Sequence, residues 1–501
     1  MRFTILSLSL LVFVACKKND TDPVETIVNE DPASYAEIAS LNLGGAGAAE
    51  ITTYDPATKR LFAVNNGTTN KIDVINMADP ASITVIHSIS MAPYGGYVNS
   101  VDVSNGKLAA AIESVNKQEN GKVVVFNTST YAEEKTITVG ALPDMVVFSP
   151  DGKYILTANE GEPNAGYTAD PEGSVSIISV ADNYAVTTLN FSALASQQTA
   201  LKAKGLRISG PNKSFLHDIE PEYITVSADS KTAWVTLQEA NAIASIDLSS
   251  KTILNIMPLG FKDFNLADNA ADVSDRDNAI AFAPWKIFGI YMPDAIANLS
   301  YNGKTYLFTA NEGDSREYTA FTDFKRLSAV TLDATAFPNA TTLKTDAQLG
   351  RLNIFTTDGD TDNDGDYDAI YSMGGRSFSV WDASNGSLVF DSKNELDVKA
   401  KDLSVYDDAR SDDKSVEPEA ITIGKVGNKQ IAFVGLERAD AIAIYDVSNP
   451  TAPVFLKLIK TGDAPEGVLF IPAGKSPIKQ SLLVVSSEND GLVKIYKATK
   501  L

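Results

Sequence analysis

The residues best suited to chemistry form a run of aspartates between positions 358 and 368. The alternating carboxylates are Asp360, Asp362, Asp364, Asp366 and Asp368. Asp360, Asp362 and Asp364, followed by Gly365, match the first half of a calcium loop, because Ca²⁺ takes about six to eight oxygen ligands and glycine permits a sharp turn. Asp366 and Asp368 would supply the remaining charge. An EF-hand would require Glu at the twelfth position, where Tyr371 stands. We therefore predict a structural calcium loop of another type, with a solvated acidic loop as the alternative.

Two further sets of acids recur at corresponding positions of a repeated pattern. One acid opens most repeats: Glu50, Asp102, Asp144, Glu222, Asp294, Glu419 and Glu466. Another ends the following strand: Glu113, Glu160, Glu239, Glu312, Glu437 and Glu488, with Asn65 in the first repeat. The start of a strand and the end of its antiparallel partner lie at the same sheet edge. Both sets are predicted to meet at one mouth, which would bind a cation, or a phosphorylated ligand through metal and arginine.

The most elaborate loops carry the residues that we predict to bind this ligand. They are Glu160, Glu162, Glu312, Asp314, Arg316, Glu437, Arg438 and Glu488, with Arg376 and Arg410 in neighbouring loops. The alternative is that each recurring acid caps a turn or pairs with the next repeat. No catalytic residue is assigned. His217 precedes Asp218 and Glu220, but the sequence contains no Gly-x-Ser-x-Gly motif.

The elements that must position these residues are short strands in tandem repeats. The clearest copy, SPDGKYILTANEG, begins at Ser149. Each copy has a strand, a turn such as Asp-Gly or Asn-Gly that tolerates positive φ, a returning strand and a third strand, and most add a fourth. Four strands per repeat without helical periodicity predict an all-β fold, a single β-propeller. Seven copies are clear, and a divergent one at residues 352–392 makes us favour eight blades over seven.

The ends of the array predict how the ring closes. The last repeat lacks a fourth strand, and a spare strand at residues 38–43 precedes the first repeat, so we expect it to complete the final blade. The propeller is assigned to residues 34–501. Insertions are predicted at residues 188–220, with a short helix at 193–204, at 261–292 and at 314–351. Long insertions in a compact domain are often functional.

The first residues have the features of an export signal. Arg2 precedes an apolar run from residue 5 to residue 15, which is too short for an ordinary membrane-spanning helix. The run ends at Cys16, in a sequence resembling a lipobox. We predict a lipoprotein signal peptide at residues 1–16, lipidation of Cys16 and a flexible tether at residues 17–33. The expected location is the cell envelope, as an outer-membrane lipoprotein that is periplasmic or surface-exposed.

Composition excludes several classes of function. The chain of 501 residues has 42 Lys plus Arg and 64 Asp plus Glu, giving a formal net charge of −22. This balance argues against nucleic acid and favours metal cations or basic partners. One cysteine excludes an intramolecular disulfide, and two histidines argue against a His-rich metal centre. We expect a monomer with an unknown ligand or surface partner.

Several long motifs carry a resemblance to one family. They are SDRD at 274–277, MPDAIA at 292–297, ANEGDSREY at 310–318, GDTDNDGDYD at 359–368, GGRSFSVWDA at 374–383, RSDDKSVEPEAITIG at 410–424 and GLERADAIAIYDV at 435–447. In this order the chain resembles the choice-of-anchor I family, whose members include mesenchyme-specific cell surface glycoproteins, and its repeats resemble the YVTN type. The resemblance implies a secreted or surface-anchored propeller. Some members are labelled alkaline phosphatases or are fused to phosphoesterase domains.

Two functions therefore stand at this point. The first is a binding or interaction module in the cell envelope, stabilised by Ca²⁺. The second is a calcium-dependent phosphoesterase, similar to alkaline phosphatases or phytases, in which Ca²⁺ ions at the acidic mouth polarise the phosphoryl group and activate water.

Overall fold

Seven four-stranded antiparallel sheets form a closed ring in the computed structural model, which describes residues 29–501. The innermost strand of each sheet contacts the innermost strands of the sheets before and after it, and that of the last sheet contacts that of the first. This arrangement is a β-propeller, as predicted, and we number its sheets as blades 1 to 7.

The strands of each blade run from the channel to the rim in chain order, with blade 7 as the exception. Blade 1 contains Thr52–Asp55, Arg60–Asn65, Lys71–Asn76 and Thr84–Ser90. Blade 2 contains Val98–Ser104, Lys107–Ile112, Asn120–Asn127 and Glu133–Ala141. Blade 3 contains Pro143–Phe148, Tyr154–Asn159, Ser174–Ser179 and Ala185–Leu189. Blade 4 contains Pro221–Val226, Thr232–Leu237, Ala242–Asp247 and Thr252–Pro258.

The remaining three blades include segments that are distant in sequence. Blade 5 contains Ile296–Tyr301, Lys304–Ala310, Phe378–Asp382 and Leu388–Asp391. Blade 6 contains Pro418–Val426, Lys429–Leu436, Ala441–Asp446 and Val454–Lys460. Blade 7 contains Pro465–Ile471, Leu482–Ser487, Leu492–Ala498 and, as its outer strand, Tyr35–Asn42.

Turn chemistry and burial explain why the repeats form these sheets. Asn302 and Gly303, which join the first two strands of blade 5, both have positive φ (50° and 77°), as a type I′ hairpin turn requires. The strands beyond the turns are apolar because each sheet packs between two others. Trp234 of blade 4 and Trp381 of blade 5, for example, share one buried cluster between their blades.

The prediction of eight blades is wrong, and the alternative of seven is correct. The segment at residues 352–392 does not form a blade of its own. Its second half, Phe378–Asp382 and Leu388–Asp391, supplies the outer two strands of blade 5. Its first half joins a separate five-stranded sheet in the order Phe261–Asp263, Phe288–Ile290, Tyr371–Met373, Asn353–Phe355 and Phe324–Arg326.

Ring closure by the N-terminal strand is confirmed. Tyr35–Asn42 pairs antiparallel with Leu492–Ala498, from Tyr35 opposite Ala498 to Asn42 opposite Leu492. The predicted tether ends earlier than residue 33, because Glu30 is buried and accepts hydrogen bonds from the backbone N and the Oγ of Ser481, at 2.7 and 2.9 Å. Cys16 and the rest of the predicted signal peptide lie outside the described residues.

Insertions between and within the blades carry the helices. The α-helices are Gln198–Lys202, Ala340–Leu343 and Glu395–Asp402. The 3-10 helices are Pro32–Ser34, Ser192–Gln197, Ala267–Asn269, Leu327–Ala329, Asp408–Arg410 and Glu437–Ala439. A small hairpin joins Glu317–Tyr318 to Phe321–Thr322. The insertion predicted to end at residue 351 continues to the third strand of blade 5, and residues 392–417 form a further insertion that was not predicted.

Among residues 29–501, no helix combines the length and the apolar character that crossing a bilayer would require.

Candidate functional site

A backbone irregularity places an acid at the channel end of most inner strands. The strand pairing shifts register between Pro143 and Met145 in blade 3, and at the corresponding point in blades 2, 4, 6 and 7. A bulge of this kind turns a side chain away from the regular alternation. In blades 3, 4, 6 and 7 the shift spans a Pro-acid pair, so the acid side chain faces the channel.

Six of the seven predicted opening acids line one cavity of about 570 Å³ at the channel mouth. We call these residues the inner ring: Glu50, Asp144, Glu222, Asp294, Glu419 and Glu466. Blade 2 departs from the prediction, because Asn99, not Asp102, occupies the corresponding position. Asp102 faces a second cavity of about 300 Å³ further along the channel and accepts hydrogen bonds from the backbone N of Phe148 and of Val103, at 2.7 and 2.8 Å.

The acids that end the second strands surround the same cavity. Glu113, Glu160 and Glu488 line it directly, together with Glu162 from the loop that follows Glu160. Glu312 brings a carboxylate oxygen within 4.8 Å of oxygens of Asp294 and Glu419. In blade 1, Asn66 rather than Asn65 reaches the mouth, where its amide donates to Glu50 Oε2 at 2.7 Å. The structure therefore brings most members of the two predicted sets of acids together around one opening, whereas Asp102 lies further along the channel.

Burial and mutual repulsion disfavour ionisation of these carboxylates. Burial first, and neighbouring carboxylates second, raise the pKa of Glu50 and Glu437 to about 8 and that of Asp144 to about 6. The same causes hold a larger group well above the ordinary pKa: Glu160, Glu222, Glu239, Asp294, Glu419 and Glu466. A cation bound in the mouth would favour the ionised carboxylates and lower these pKa values.

Lys414 supplies positive charge at the mouth beside blade 5, and no sequence pattern indicated this role. Its Nζ lies 2.6 Å from Glu312 Oε1, 3.1 Å from Glu417 Oε2 and 3.5 Å from Asp314 Oδ1. The Lys414 side chain is 10% exposed and Glu417 is fully buried. An internal ammonium group thus already occupies the cluster formed by Glu312, Glu417 and Glu437, whose carboxylate oxygens lie within 4.8 Å of one another.

The arginines have mostly structural roles, contrary to the prediction that Arg316 binds ligand. Arg316 is buried and pairs with Glu220 at 2.6 Å, because its loop packs against residues 209–220. Arg376 is also buried and donates to backbone carbonyls of Asp272, Ser411 and Asp413. Arg438 remains partly exposed beside the mouth, 3.0 Å from Glu437.

The residues around His217 are likewise structural. Asp218 accepts from the backbone N of Gly210 at 2.8 Å, and Glu220 is held by Arg316. Both carboxylates therefore have partners other than the imidazole.

The predicted calcium loop gathers its carboxylates in two overlapping groups. One oxygen each from Asp360, Asp362 and Asp368 lies within 4.8 Å of the other two, and the same holds for Asp333, Asp366 and Asp368. Asp364 belongs to neither group. Asp333 was missed because it lies outside the aspartate run. A parallel bridge between Leu332 and Tyr367 brings it there.

Fold and site together define a class: a seven-bladed β-propeller with an acidic channel mouth and an aspartate-rich insertion. The chain belongs to the choice-of-anchor I family, because the family model for the choice-of-anchor I domain matches residues 50–450. This confirms the resemblance seen in the sequence motifs.

Two relatives share parts of this sequence. Gigasin-3a of Magallana gigas is 29% identical over 185 residues, which cover 30% of this chain and 65% of that protein. Mesenchyme-specific cell surface glycoprotein of Strongylocentrotus purpuratus is 25% identical over 337 residues, which cover 56% of this chain and 43% of that protein. The matches thus span less than two thirds of either relative.

Solved structures match this chain at low sequence identity. The WD40 repeats of RRP9 match with a TM-score of 0.50 and 10% identity, covering 93% of this chain and 98% of that chain. Hydrazine synthase of Kuenenia stuttgartiensis matches with a TM-score of 0.49 and 11% identity, covering 91% and 97%. The likeness to RRP9 concerns the propeller fold alone.

Proposed function

We propose that this protein is a cell-surface binding module that holds a cationic ligand in the acidic mouth of its propeller. The observation that carries the proposal is the inner ring: six carboxylates from six blades line one cavity, and burial opposes their ionisation. A bound cation would supply the missing positive charge and stabilise the ionised ring.

The charge near the ring is unevenly balanced, which supports this proposal. Lys117 approaches Glu113 to 3.5 Å, and Lys414 serves Glu312 and Glu417. By contrast, the strongest charge effects on Glu222 and Glu466 come from other carboxylates. The acids of blades 4 and 7, on either side of the Lys414 cluster, therefore have the greatest need of an external cation.

Calorimetric titration with hexaamminecobalt(III) tests the proposal, because this trivalent cation binds through charge without metal coordination. We expect binding at pH 8 that weakens at least about tenfold in the triple variant Glu222→Gln, Glu419→Gln and Glu466→Gln. The matched control replaces Asp79, Asp182 and Asp229 by Asn. These exposed residues lie beyond the opposite ends of the strands and change the net charge equally. Equal weakening in both variants would reject the mouth as the site.

Display at the cell surface is part of the same proposal. It is supported by membership of the choice-of-anchor I family and by a relative named as a cell surface glycoprotein. Lipidation of Cys16 remains a prediction from the sequence, and labelling with a radioactive fatty acid, compared between the wild type and Cys16→Ser, would test it.

Calcium at the aspartate loop is a second component of the proposal. Asp360, Asp362, Asp366 and Asp368, with Asp333, offer carboxylate oxygens at the spacing that one or two hard cations require. The role proposed for Ca²⁺ there is to fix the insertion of blade 5.

A calcium-dependent phosphoesterase is the alternative function, favoured by one observation. Asp294, Glu312 and Glu419 bring carboxylate oxygens within 4.8 Å of one another beside the Lys414 ammonium. A metal there would polarise a phosphoryl oxygen. Hydrolysis of p-nitrophenyl phosphate that requires Ca²⁺ and is lost in Asp294→Asn would support this alternative. Lack of turnover with several phosphoesters would reject it.

A further inference from the structure

We infer that the cation held by the inner ring is organic: one or more primary ammonium groups on a methylene chain, as in a linear polyamine or a lysine side chain. This inference deepens the proposed function and rests on it. It specifies the chemical class of the ligand and separates it from a bare metal ion.

The first observation is a set of buried carboxylate oxygens that lack hydrogen-bond partners. Within the described chain, the Oε2 atoms of Glu222, Glu419 and Glu466 in the inner ring are buried and unpartnered. Behind them, Glu239 is only 7% exposed, and its Oε2 is also unpartnered. Repulsion from Glu239 is among the causes that raise the pKa of Glu160 and Glu222, so its carboxyl group lies close to theirs. A buried acceptor without a hydrogen-bond donor destabilises the folded protein, so these oxygens favour a ligand that brings donors to them.

The second observation is the spacing of these carboxylates. In the described part of the mouth, two sets of three acids have carboxylate oxygens close enough to share one ion, and Glu312 belongs to both sets. Both oxygens of Glu312 already have donors, Lys414 Nζ at 2.6 Å and Gln238 Nε2 at 2.8 Å. Glu222 and Glu466 belong to no such group. A ligand with separated donors therefore fits the unpartnered oxygens better than one metal ion does.

The third observation is that the mouth already binds an ammonium group of its own. Lys414 Nζ donates to Glu312 and lies within ion-pair distance of Glu417 and Asp314. Three donors on a compact ammonium head can serve several carboxylates at once. The same chemistry at blades 4 and 7, which lie on either side of the Lys414 cluster, would satisfy Glu222 and Glu466.

The fourth observation is an apolar neck directly below the ring. The residues that line both the acidic cavity and the next one include Ile51, Met145, Tyr223, Ile421 and Val468. A methylene chain passing from the ring into the neck would bury its apolar surface there, at about 25 cal/mol per Å². A hydrated metal ion would gain nothing from this surface.

Calorimetric titration at pH 8 with three probes tests the inference. The probes are 1,5-diaminopentane, pentane-1,5-diol of similar length without charge, and CaCl₂. We expect the diamine to bind, the diol not to bind, and Glu222→Gln and Glu466→Gln each to weaken diamine binding at least about tenfold. Asp229→Asn, an exposed change of equal charge, should leave it unchanged. Both Gln variants preserve side-chain volume, and their melting temperatures report whether they fold.

The outcomes separate this inference from the proposed function. If hexaamminecobalt(III) or Ca²⁺ binds the mouth and the diamine does not, the inference is wrong while the proposed function stands. If none of these cations binds, both are wrong. A further titration with Nα-acetyl-lysine amide distinguishes the sources. Affinity equal to that of the diamine indicates a lysine side chain of a partner, and affinity at least about tenfold weaker indicates a free polyamine.

Discussion

At the scale of single residues, one extra position in the strand decides which acid reaches the mouth. Counting along blade 2 from the sequence pointed to Asp102, but the register shift before Ser100 directs Asn99 to the cavity. Asp102 instead accepts backbone hydrogen bonds deeper in the channel. The Pro-acid pairs of blades 3 to 7 marked the other positions correctly.

The raised pKa values give a pH dependence with a definite sign. Carboxylates whose folded pKa is raised bind protons more tightly in the folded state, so the stability they contribute is present at low pH and is lost as pH rises. The stability contributed by Glu50 and Glu437 is lost between about pH 4.5 and about pH 8, and that contributed by Asp144 is lost by about pH 6. Without metal or ligand, we expect the melting temperature to fall by several degrees from pH 5 to pH 8.5, as measured by calorimetry with EDTA.

The variant Glu50→Gln serves as the control for this pH dependence. It removes one titrating group whose contribution is on the order of 2 kcal/mol, so the decrease should be smaller. A melting temperature that stays constant or rises between pH 5 and pH 8.5 would contradict the raised pKa values of the mouth carboxylates.

Lys414 is the residue whose removal should cost most at the mouth. Lys414→Met leaves Glu312 without its ammonium partner and deprives Glu417 of one, and breaking a buried pair from one side costs about 3–5 kcal/mol. Urea denaturation measures the loss. The control Lys231→Met removes an exposed ion pair with Asp229 and should change the unfolding free energy by less than about 1 kcal/mol. Similar losses in the two variants would show that Lys414 is not a buried counter-ion.

At the scale of elements, sequence reasoning located the aspartate loop but not its partners. Asp333 reaches the loop only through the bridge between Leu332 and Tyr367. At the base of the loop, Arg207 pairs with Asp358 at 3.1 Å and with Asp323 at 3.2 Å, above the ring of Phe355. Contacts between insertions that are distant in sequence leave no local pattern, and for this reason the five-stranded sheet was mistaken for part of an eighth blade.

Calcium removal tests the element that this loop forms. We expect EGTA to lower the melting temperature by a few degrees, because a ligand that binds only the folded state stabilises it by an amount that grows with the logarithm of the free ligand concentration relative to Kd. Asp368→Asn, which changes the residue common to both carboxylate groups, should abolish the difference between Ca²⁺ and EGTA. Asp364 belongs to neither carboxylate group, so the variant Asp364→Asn should still melt at different temperatures in Ca²⁺ and in EGTA. An EGTA-insensitive wild-type protein would exclude structural calcium.

At the scale of the whole molecule, repetition made the fold predictable. Apolar strands, turn residues and a spare N-terminal strand all pointed to a closed propeller, and the closing strand pairs as expected. The number of blades was not predictable, because the count depended on whether the divergent segment packs into the ring. The role of Lys414 at the mouth could not be predicted either, because Lys414 lies 102 positions from Glu312 in the sequence.

Ring closure should depend on the packing of its terminal strand. Tyr35 is fully buried, its ring lies 5.3 Å from that of Phe433, and its hydroxyl contacts Ser481 Oγ at 2.6 Å. We expect Tyr35→Ala to lower the unfolding free energy by about 3–5 kcal/mol in chemical denaturation. Glu37→Ala on the same strand removes a partly exposed pair with Lys494 and should cost less than about 1 kcal/mol. Equal effects would mean that the strand does not lock the ring.

The amide of Asn99 breaks the sevenfold repetition of charge around the opening. Close by, Lys117 approaches the carboxylate of Glu113 in the same blade. The negative potential around the opening is therefore uneven: it is reduced at blade 2 and, through Lys414, between blades 5 and 6, and it is stronger at Glu222 of blade 4 and Glu466 of blade 7. A guest with several positive groups would therefore align with blades 4 and 7 and leave Asn99 uncovered.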